Sequence, residues 1–372
     1  MLASELDFFL PPELIAQTPA EPRDSARLLV LPRDGSPLAH HFVRDLPALL
    51  RPDDLLVFND TRVLRARLRG SKPSGGRVEA LLLKELGRNR WEALLKPSQR
   101  LKIGGEVEFA SPDGSVRITA RLAERRDEAW HLEFLPDANA NLNADVRDLL
   151  PALGEVPLPP YIRQAASEER YQTTFSRRKT EGNPLDSAAA PTAGLHFTPE
   201  LLQKLAEKGM ETAFVTLAVG AGTFRPVQSE TLEEHVMHRE EFWVSPAAAA
   251  KINAQKARGG RVVAVGTTTV RTLESLADER GHVAAGEGDT QIFIRPGYRF
   301  RCVDALLTNF HLPRSTLLSL VSAFAQHETG AQQNTNGENG SKRGLATIQA
   351  AYATAIAERY RFFSFGDAML ID

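Results

Sequence analysis

Cysteine is nearly absent: Cys302 is the one cysteine in 372 residues, so no disulfide can form within the chain. No run of about 18 apolar residues, the length that crosses a bilayer, occurs anywhere in the sequence. The opening Met1-Leu2-Ala3-Ser4-Glu5-Leu6-Asp7 lacks the basic and apolar regions of a secretory leader. A cytoplasmic protein with no membrane partner is expected. Also missing are the three-glycine dinucleotide fingerprint, the P-loop, the zinc-binding His-Glu-x-x-His and the nucleophile elbow Gly-x-Ser-x-Gly. Their absence argues against a nicotinamide dinucleotide, Walker-type ATP, a zinc protease and a serine hydrolase. Neither sign of charge dominates: the net charge is −2, with 42% hydrophobic and 25% charged residues, the make-up of a soluble globular protein.

That small net charge conceals an uneven distribution. From Arg62 to Lys102 twelve Lys and Arg stand against three acids, nine positive charges in excess; from Ile103 to Leu150 five basic residues stand against ten acids, five negative in excess. A basic face beside an acidic one suits a polyanion held in one orientation, and a solvated strand surface accounts for the same charges. The basic stretch coincides with a change of texture. Short alternating runs at Ala66 to Arg69, Val78 to Leu83, Trp91 to Leu95, Val107 to Phe109, Val116 to Ala120 and Trp130 to Phe134 are separated by Gly and Pro turns. They predict a small antiparallel barrel or sandwich, a β-barrel-like domain at 65–149, inserted into a discontinuous mixed α/β (α+β) domain of 1–64 and 150–372. Length also predicts two domains, since single cores stop growing near roughly 250 to 300 residues.

In the main domain, periodicity predicts helices over Pro199 to Lys208, Pro246 to Arg258, Val270 to Arg280 and Ala346 to Tyr360. Strands are predicted over Thr212 to Leu217, Arg261 to Val265 and Gln291 to Ile294. Thr198-Pro199-Glu200 is a helix start with a Thr N-cap and Pro at the first position, which sets His196 in the loop just ahead of it. The Gly-, Asn- and Gln-rich run between Gln326 and Arg343 is too polar to bury anything and reads as a disordered surface loop.

Four separated stretches share one design, uncharged hydrogen-bonding residues framed by apolar ones. They are Phe58-Asn59-Asp60-Thr61-Arg62, Pro191-Thr192-Ala193-Gly194-Leu195-His196-Phe197, Val265-Gly266-Thr267-Thr268-Thr269 and Thr308-Asn309-Phe310-His311-Leu312-Pro313. Polar groups taken from water need partners, so the pattern predicts a pocket for a polar ligand; each stretch alone also reads as a turn or cap. Gly266-Thr267-Thr268 follows a strand and opens a helix, where free amides can meet a carboxylate or phosphate, or simply form a capped turn. Val219-Gly220-Ala221-Gly222-Thr223-Phe224 offers a second Gly-rich turn without a third glycine. His196 and His311, each in an apolar frame, are the candidate acid–base groups, with a core histidine bonded to backbone as the other reading. His235 and His238, spaced to share a helical face, have no third ligand in view, so no metal is expected.

Long motifs then match a known family in order along nearly the whole chain. Among them are Arg23-Asp24-Ser25-Ala26-Arg27-Leu28-Leu29, Val57-Phe58-Asn59-Asp60-Thr61-Arg62, Leu158-Pro159-Pro160-Tyr161-Ile162-Arg163, Pro191 to Phe197, His235-Val236-Met237-His238-Arg239-Glu240, Ala264 to Thr268, Leu307 to Pro313 and Tyr360 to Met369. The chain resembles the S-adenosylmethionine:tRNA ribosyltransferase-isomerases of queuosine biosynthesis. The resemblance implies that S-adenosylmethionine is a consumed co-substrate, with no true cofactor and no metal. Its ribosyl part would pass to 7-aminomethyl-7-deazaguanine at the tRNA wobble position, giving epoxyqueuosine, adenine and methionine.

By the same resemblance Asp60, His196 and His311 are catalytic candidates. Asn59, Thr61, Arg62, Thr192, Gly194, Gly222, Thr223, Gly266, Thr267, Thr268, Asn309 and Phe310 would bind substrate. The anticodon stem-loop would meet Arg65, Arg67, Arg69 and Lys72, and a monomer is expected. Many members have His where this chain has Ala218, so no role carries over there. A methyltransferase and a non-catalytic RNA-binding module are the rival classes.

Overall fold

Leu55-Leu56-Val57-Phe58-Asn59 carries no polar side chain before its last residue, and a strand of that kind must be covered on both faces. In the computed structural model, which describes residues 1–135, 145–163, 168–177, 185–220, 227–326 and 338–372, it lies inside a nine-stranded sheet. The chain runs through β1 (Arg27–Leu31), β2 (Ala39–Phe42), α1 (Leu46–Leu49), β3 (Leu55–Asn59) and β4 (Arg62–Val63). Six strands follow: β5 (Arg67–Ser71), β6 (Arg77–Gly87), β7 (Arg90–Lys96), β8 (Glu106–Ala110), β9 (Arg117–Arg126) and β10 (Ala129–Leu135). Then come α2 (Val146–Leu153), β11 (Asp186–Ser187), α3 (Pro199–Glu207), β12 (Glu211–Leu217), β13 (Glu240–Val244), α4 (Pro246–Ala257) and β14 (Val262–Val265). The order ends with α5 (Thr267–Leu276), β15 (Gly286–Thr290), β16 (Ala305–Asn309), α6 (Thr316–Gln326), α7 (Glu338–Ala357) and β17 (Ala368–Ile371).

The large sheet is ordered β15-β13-β12-β3-β14-β16-β17-β1-β2, and β12, β3, β14 and β16 are mutually parallel. Successive residues point to opposite faces. Leu55, Val57, Val262, Ala264 and Leu306 accordingly join one core, with α5, α6 and α7, while Leu56, Phe58, Val263, Val265 and Leu307 join the other, with α3. At the amino ends of β3 and β14, Arg261 grips the fully buried Asp54 through two bonds, Nε to Oδ1 at 2.8 Å and Nη2 to Oδ2 at 2.7 Å. Such a two-pronged pair fixes geometry as well as charge.

All six expected strands of the insertion are present, closed as a barrel in the order β10-β7-β6-β5-β8-β9 around Trp91, Trp130, Phe109 and Phe134. The compact unit is Val63–Leu158 with Asp186–Ala189, rather than 65–149; the remainder, Met1–Arg62, Pro159–Leu185 and Ala190–Asp372, is the other unit. The boundary moves because α2 buries Val146, Leu150 and Leu153 in the barrel core, and Glu155 then exchanges two backbone bonds with Arg67.

Three other expectations are corrected. Gln291 to Ile294 is not a strand; the edge strand is β15, Gly286–Thr290, which pairs with β13 through backbone groups that need no apolar side chains. His235 and His238 lie in an irregular segment and share no helical face. The polar run before Arg343 is helical from Glu338 onward, while 327–337 lie outside the described residues. Once Leu345, Ile348 and Tyr352 are packed, each residue added to a helix gains a bond at little cost.

Leu150→Ala should lower the unfolding free energy of the barrel unit by about 2 to 5 kcal/mol through the cavity it leaves. Denaturant unfolding followed by the fluorescence of Trp91 and Trp130 checks this, and an unchanged midpoint would return α2 to the other unit.

Candidate functional site

Parallel strands deliver their carboxyl ends to one edge of a sheet, and the segments leaving that edge form a crevice. Here β3 ends at Asn59, β14 at Val265 and β16 at Asn309. Gly266 turns the chain from β14 into α5 with φ +92°, a conformation that favours glycine. No side chain caps α5, so the amides of its first turn, from Thr267 onward, precede the first internal helix bond, Val270 N–H to Gly266 O. Gly266, Thr267, Thr268, Thr192, Thr308, Asn309, Phe310 and His311 border a cleft with Tyr161, Val219, Ser315, Phe363 and Ser364. Among the described residues, no carboxylate, lysine or arginine lines it.

Two asparagines knit the edge together. Asn59 Nδ2 donates to Leu217 O at 3.1 Å and Thr268 Oγ1 at 3.3 Å, and its Oδ1 accepts from the amides of Thr61 and Leu217, each at 3.1 Å. Asn309 Nδ2 donates to His196 Nε2 and to Phe363 O, each at 3.2 Å, while its Oδ1 accepts from the Thr192 hydroxyl at 3.1 Å. His196 thus sits behind Asn309, and burial pushes its pKa down to about 4, against the opposing pull of Asp367. His311 does border the cleft. Its Nε2 lies 3.3 Å from Thr308 Oγ1 and its Nδ1 3.5 Å from the Tyr352 hydroxyl, and burial alone takes its pKa to about 3. Both imidazoles are neutral near pH 7.

The expected site residues therefore divide. Asn59, Asp60, Thr61, Arg62, Gly194 and His196 do not border the cleft, and Gly222 and Thr223 lie outside the described residues. Asp60 is buried, accepts the Thr216 hydroxyl at 2.6 Å and faces Arg177 at 3.5 Å. Desolvation raises its pKa, and the Thr216 bond and Arg177 oppose the rise. Arg62 donates to Ser176 Oγ at 3.2 Å. Gly194 is a packing position, since a Cβ there would come 2.9 Å from Thr173 Cγ2 and 3.0 Å from Phe175 Cζ. Phe310 spends its ring on a buried cluster with Tyr352, Tyr360 and Phe362. Arg65, Arg67, Arg69 and Lys72 belong to the barrel unit.

Other cleft residues had no role assigned from sequence. The Tyr161 hydroxyl meets Ser364 Oγ at 2.7 Å, its ring packs 4.9 Å from that of Phe363, and Phe363 itself holds φ +71°. A non-glycine residue in that region costs of order 1 kcal/mol or more and marks a constrained site. The signal was available, because Tyr161 and Phe363-Ser364 fall inside two of the long motifs. Among the described residues, no three His, Cys, Asp or Glu side chains gather as a metal-binding group, and no helix is long and apolar enough to cross a membrane.

Comparison with known proteins adds a second line. A family model described as "Queuosine biosynthesis protein" matches residues 3–371. The chain is 50% identical to the S-adenosylmethionine:tRNA ribosyltransferase-isomerase of Symbiobacterium thermophilum over 373 aligned positions, with 100% of each chain covered. Proteins of that name from Moorella thermoacetica and Thermus thermophilus are each 49% identical, with 100% and 98% of both chains covered, respectively. A crystal structure of S-adenosylmethionine tRNA ribosyltransferase from Thermotoga maritima shares 37% identity, covers 99% of this chain and 100% of its own, and matches with a TM-score of 0.52.

The buried histidines make the fold acid-sensitive. A histidine whose folded pKa is depressed adds stability above its ordinary value of 6.5, and that stability is lost as pH falls towards about 4 for His196. The expected loss over this window is up to about 1.4 kcal/mol per pH unit for each such histidine. Urea unfolding at about pH 7 and about pH 5 checks it. His196→Asn should show a shallower dependence than the unaltered protein, and identical slopes would assign the acid sensitivity to other groups.

Proposed function

Because the chain belongs to the queuosine biosynthesis family, we propose that it is an S-adenosylmethionine-dependent tRNA ribosyltransferase-isomerase. It transfers and isomerises the ribosyl moiety of S-adenosylmethionine onto 7-aminomethyl-7-deazaguanine at the tRNA wobble position, giving epoxyqueuosine-tRNA, adenine and methionine. The observation that carries this reading is the match to the family and to its named members along essentially the whole chain. S-adenosylmethionine is consumed in the reaction, and no further cofactor is invoked.

The cleft suits that chemistry in two respects. Its polar groups are neutral hydroxyls, amides and imidazole, set among Val219, Phe310, Leu312 and Phe363. A sulfonium cation brought into a poorly solvated, uncharged lining is destabilised relative to its deprotonated, net-neutral form. Loss of a proton from the carbon beside sulfur is thereby favoured. The amides of the first turn of α5, with the hydroxyls of Thr267 and Thr268, suit the methionine carboxylate, because a helix start attracts anions. Of the catalytic candidates, His311 borders the cleft itself and, being neutral near pH 7, would serve as the base that takes the proton; Asp60 and His196 support the walls from behind.

The barrel supplies a surface for tRNA. Arg67, Arg69, Arg77 and Arg117 border a groove on that unit. Arg69 pairs with Glu155 and Arg117 with Glu108, each at 2.9 Å, while Arg77 has no ion pair among the described residues. Exposed pairs of this kind are worth about 0 to 1 kcal/mol, so phosphates can displace the acids. Arg65 is committed to Pro151 O and has less to offer RNA.

With S-adenosylmethionine and tRNA bearing the aminomethyl precursor, the protein should release free adenine and methionine. Chromatography decides the reaction class: S-adenosylhomocysteine instead would make it a methyltransferase, and no turnover at all an RNA-binding module. Separately, Arg69→Glu with Arg77→Glu should weaken tRNA binding and lower the log–log salt slope by about 1 for each phosphate that is no longer neutralised. Unchanged affinity would make the groove an ordinary solvated strand face.

A further inference from the structure

We propose that the buried ion pair between Glu240 and Arg271 is a positioning element of the cleft, holding two of its walls in register for S-adenosylmethionine; this rests on the function proposed above. Arg271 lies one turn beyond Thr267 and Thr268, the α5 residues that border the cleft, and Glu240 opens β13. Both side chains are only 3% exposed. Arg271 Nη1 donates to Glu240 Oε2. Glu240 Oε1 accepts the Gly220 amide at 3.0 Å.

The place of that last bond matters. Pairing of β12 with β13 runs through Thr216 with Trp243 and Leu217 with Phe242, and ends with Ala218 N–H donating to Glu241 O at 2.8 Å. Beyond it the Glu240 carboxylate takes over, holding Gly220 and so fixing one side of Val219, which borders the cleft. One carboxylate therefore ties the wall that leaves β12 to the helix whose first turn forms the facing wall.

Stability alone is a poor account of this pair. Arg271 Nε reaches Ile292 O only at 3.4 Å, and its Nη2 is buried with no partner among the described residues. A desolvated guanidinium with an idle donor is costly, and apolar residues of similar volume commonly replace a buried ion pair without loss. What apolar residues cannot supply is the directed bond to Gly220 and the fixed spacing to α5, and small displacements of a binding wall are amplified in the ligand's affinity.

The test uses the full-length protein, calorimetric binding of S-adenosylmethionine and thermal unfolding on the same preparations. Glu240→Met with Arg271→Met removes both charges together, so no lone charge is left buried. It should melt within a few degrees of the unaltered protein yet bind S-adenosylmethionine at least about tenfold more weakly, with adenine release restored in large measure by raising its concentration, as expected for lost ground-state binding. Arg271→Lys, which keeps the charge and loses the planar fork, should fold and show an intermediate loss. Unaltered affinity in the folded double variant, or in Arg271→Lys should the double variant not fold, would overturn the positioning role alone. No S-adenosylmethionine binding by the unaltered protein would overturn the proposed function and this role with it.

Discussion

The side-chain amide of Asn59 is the contact on which the site edge depends. Four bonds radiate from it, to both backbone groups of Leu217, to the Thr61 amide and to the Thr268 hydroxyl, joining the end of β3 to the end of β12 and to the first turn of α5. An amide has two donors and one oxygen with two lone pairs, so this buried group is fully satisfied and has no bond left for a ligand. It shapes the cleft from underneath. At the other end of the same strands, Arg261 and Asp54 set the spacing of β3 and β14 before the chain reaches the site. The parallel strands are thus pinned at both ends, by an ion pair at the amino edge and by the neutral hydrogen bonds of Asn59 and Asn309 at the carboxyl edge, where the Asp60–Arg177 and Glu240–Arg271 pairs stand behind the cleft lining.

That division of charge has a chemical sense. At the end of β16, Asn309 has a similar role, taking the Thr192 hydroxyl, His196 and Phe363 O into a single network. With His196 near pKa 4 and His311 near 3, neither histidine adds charge to the cleft across the physiological range. Among the described residues that line it, a cation entering the cleft meets dipoles rather than counter-ions, and in low dielectric the difference is worth far more than in water. The site is pre-set by bonds inside the protein, so little reorganisation remains for the moment of reaction.

Much of this was legible in the sequence, and the failures have physical causes. All six barrel strands were visible because strand alternation has a period of two and turn residues punctuate it. The Thr198-Pro199 helix start was visible because capping is local, and the Thr198 hydroxyl does accept the Leu201 amide at 3.1 Å. β15 escaped because Gly286-Glu287-Gly288-Asp289 pairs through backbone alone, and α6 because a helix buried on most sides has no polar face to reveal its period. The pocket pattern brought Thr192, Gly266, Thr267, Thr268, Asn309, Phe310 and His311 to one cleft. It could not separate them from Asn59 or His196, since a polar group that contacts ligand and one that braces the wall behind it look alike in sequence. Direction is a tertiary fact.

The place of β17 has a further consequence. This strand, at Ala368–Ile371, lies between β16 and β1, and the β1–β2 hairpin joins the large sheet through it. The hairpin leaves the ribosome early, while its partner strand is made after every other element of the sheet. Until then the nascent chain carries an unpaired β1 edge, and the barrel, whose strands are contiguous in sequence, can close long before. Such long-range pairing is slow to form and exposes a sticky edge while it waits. A chaperone that meets this protein during synthesis would be expected to find its client at that hairpin.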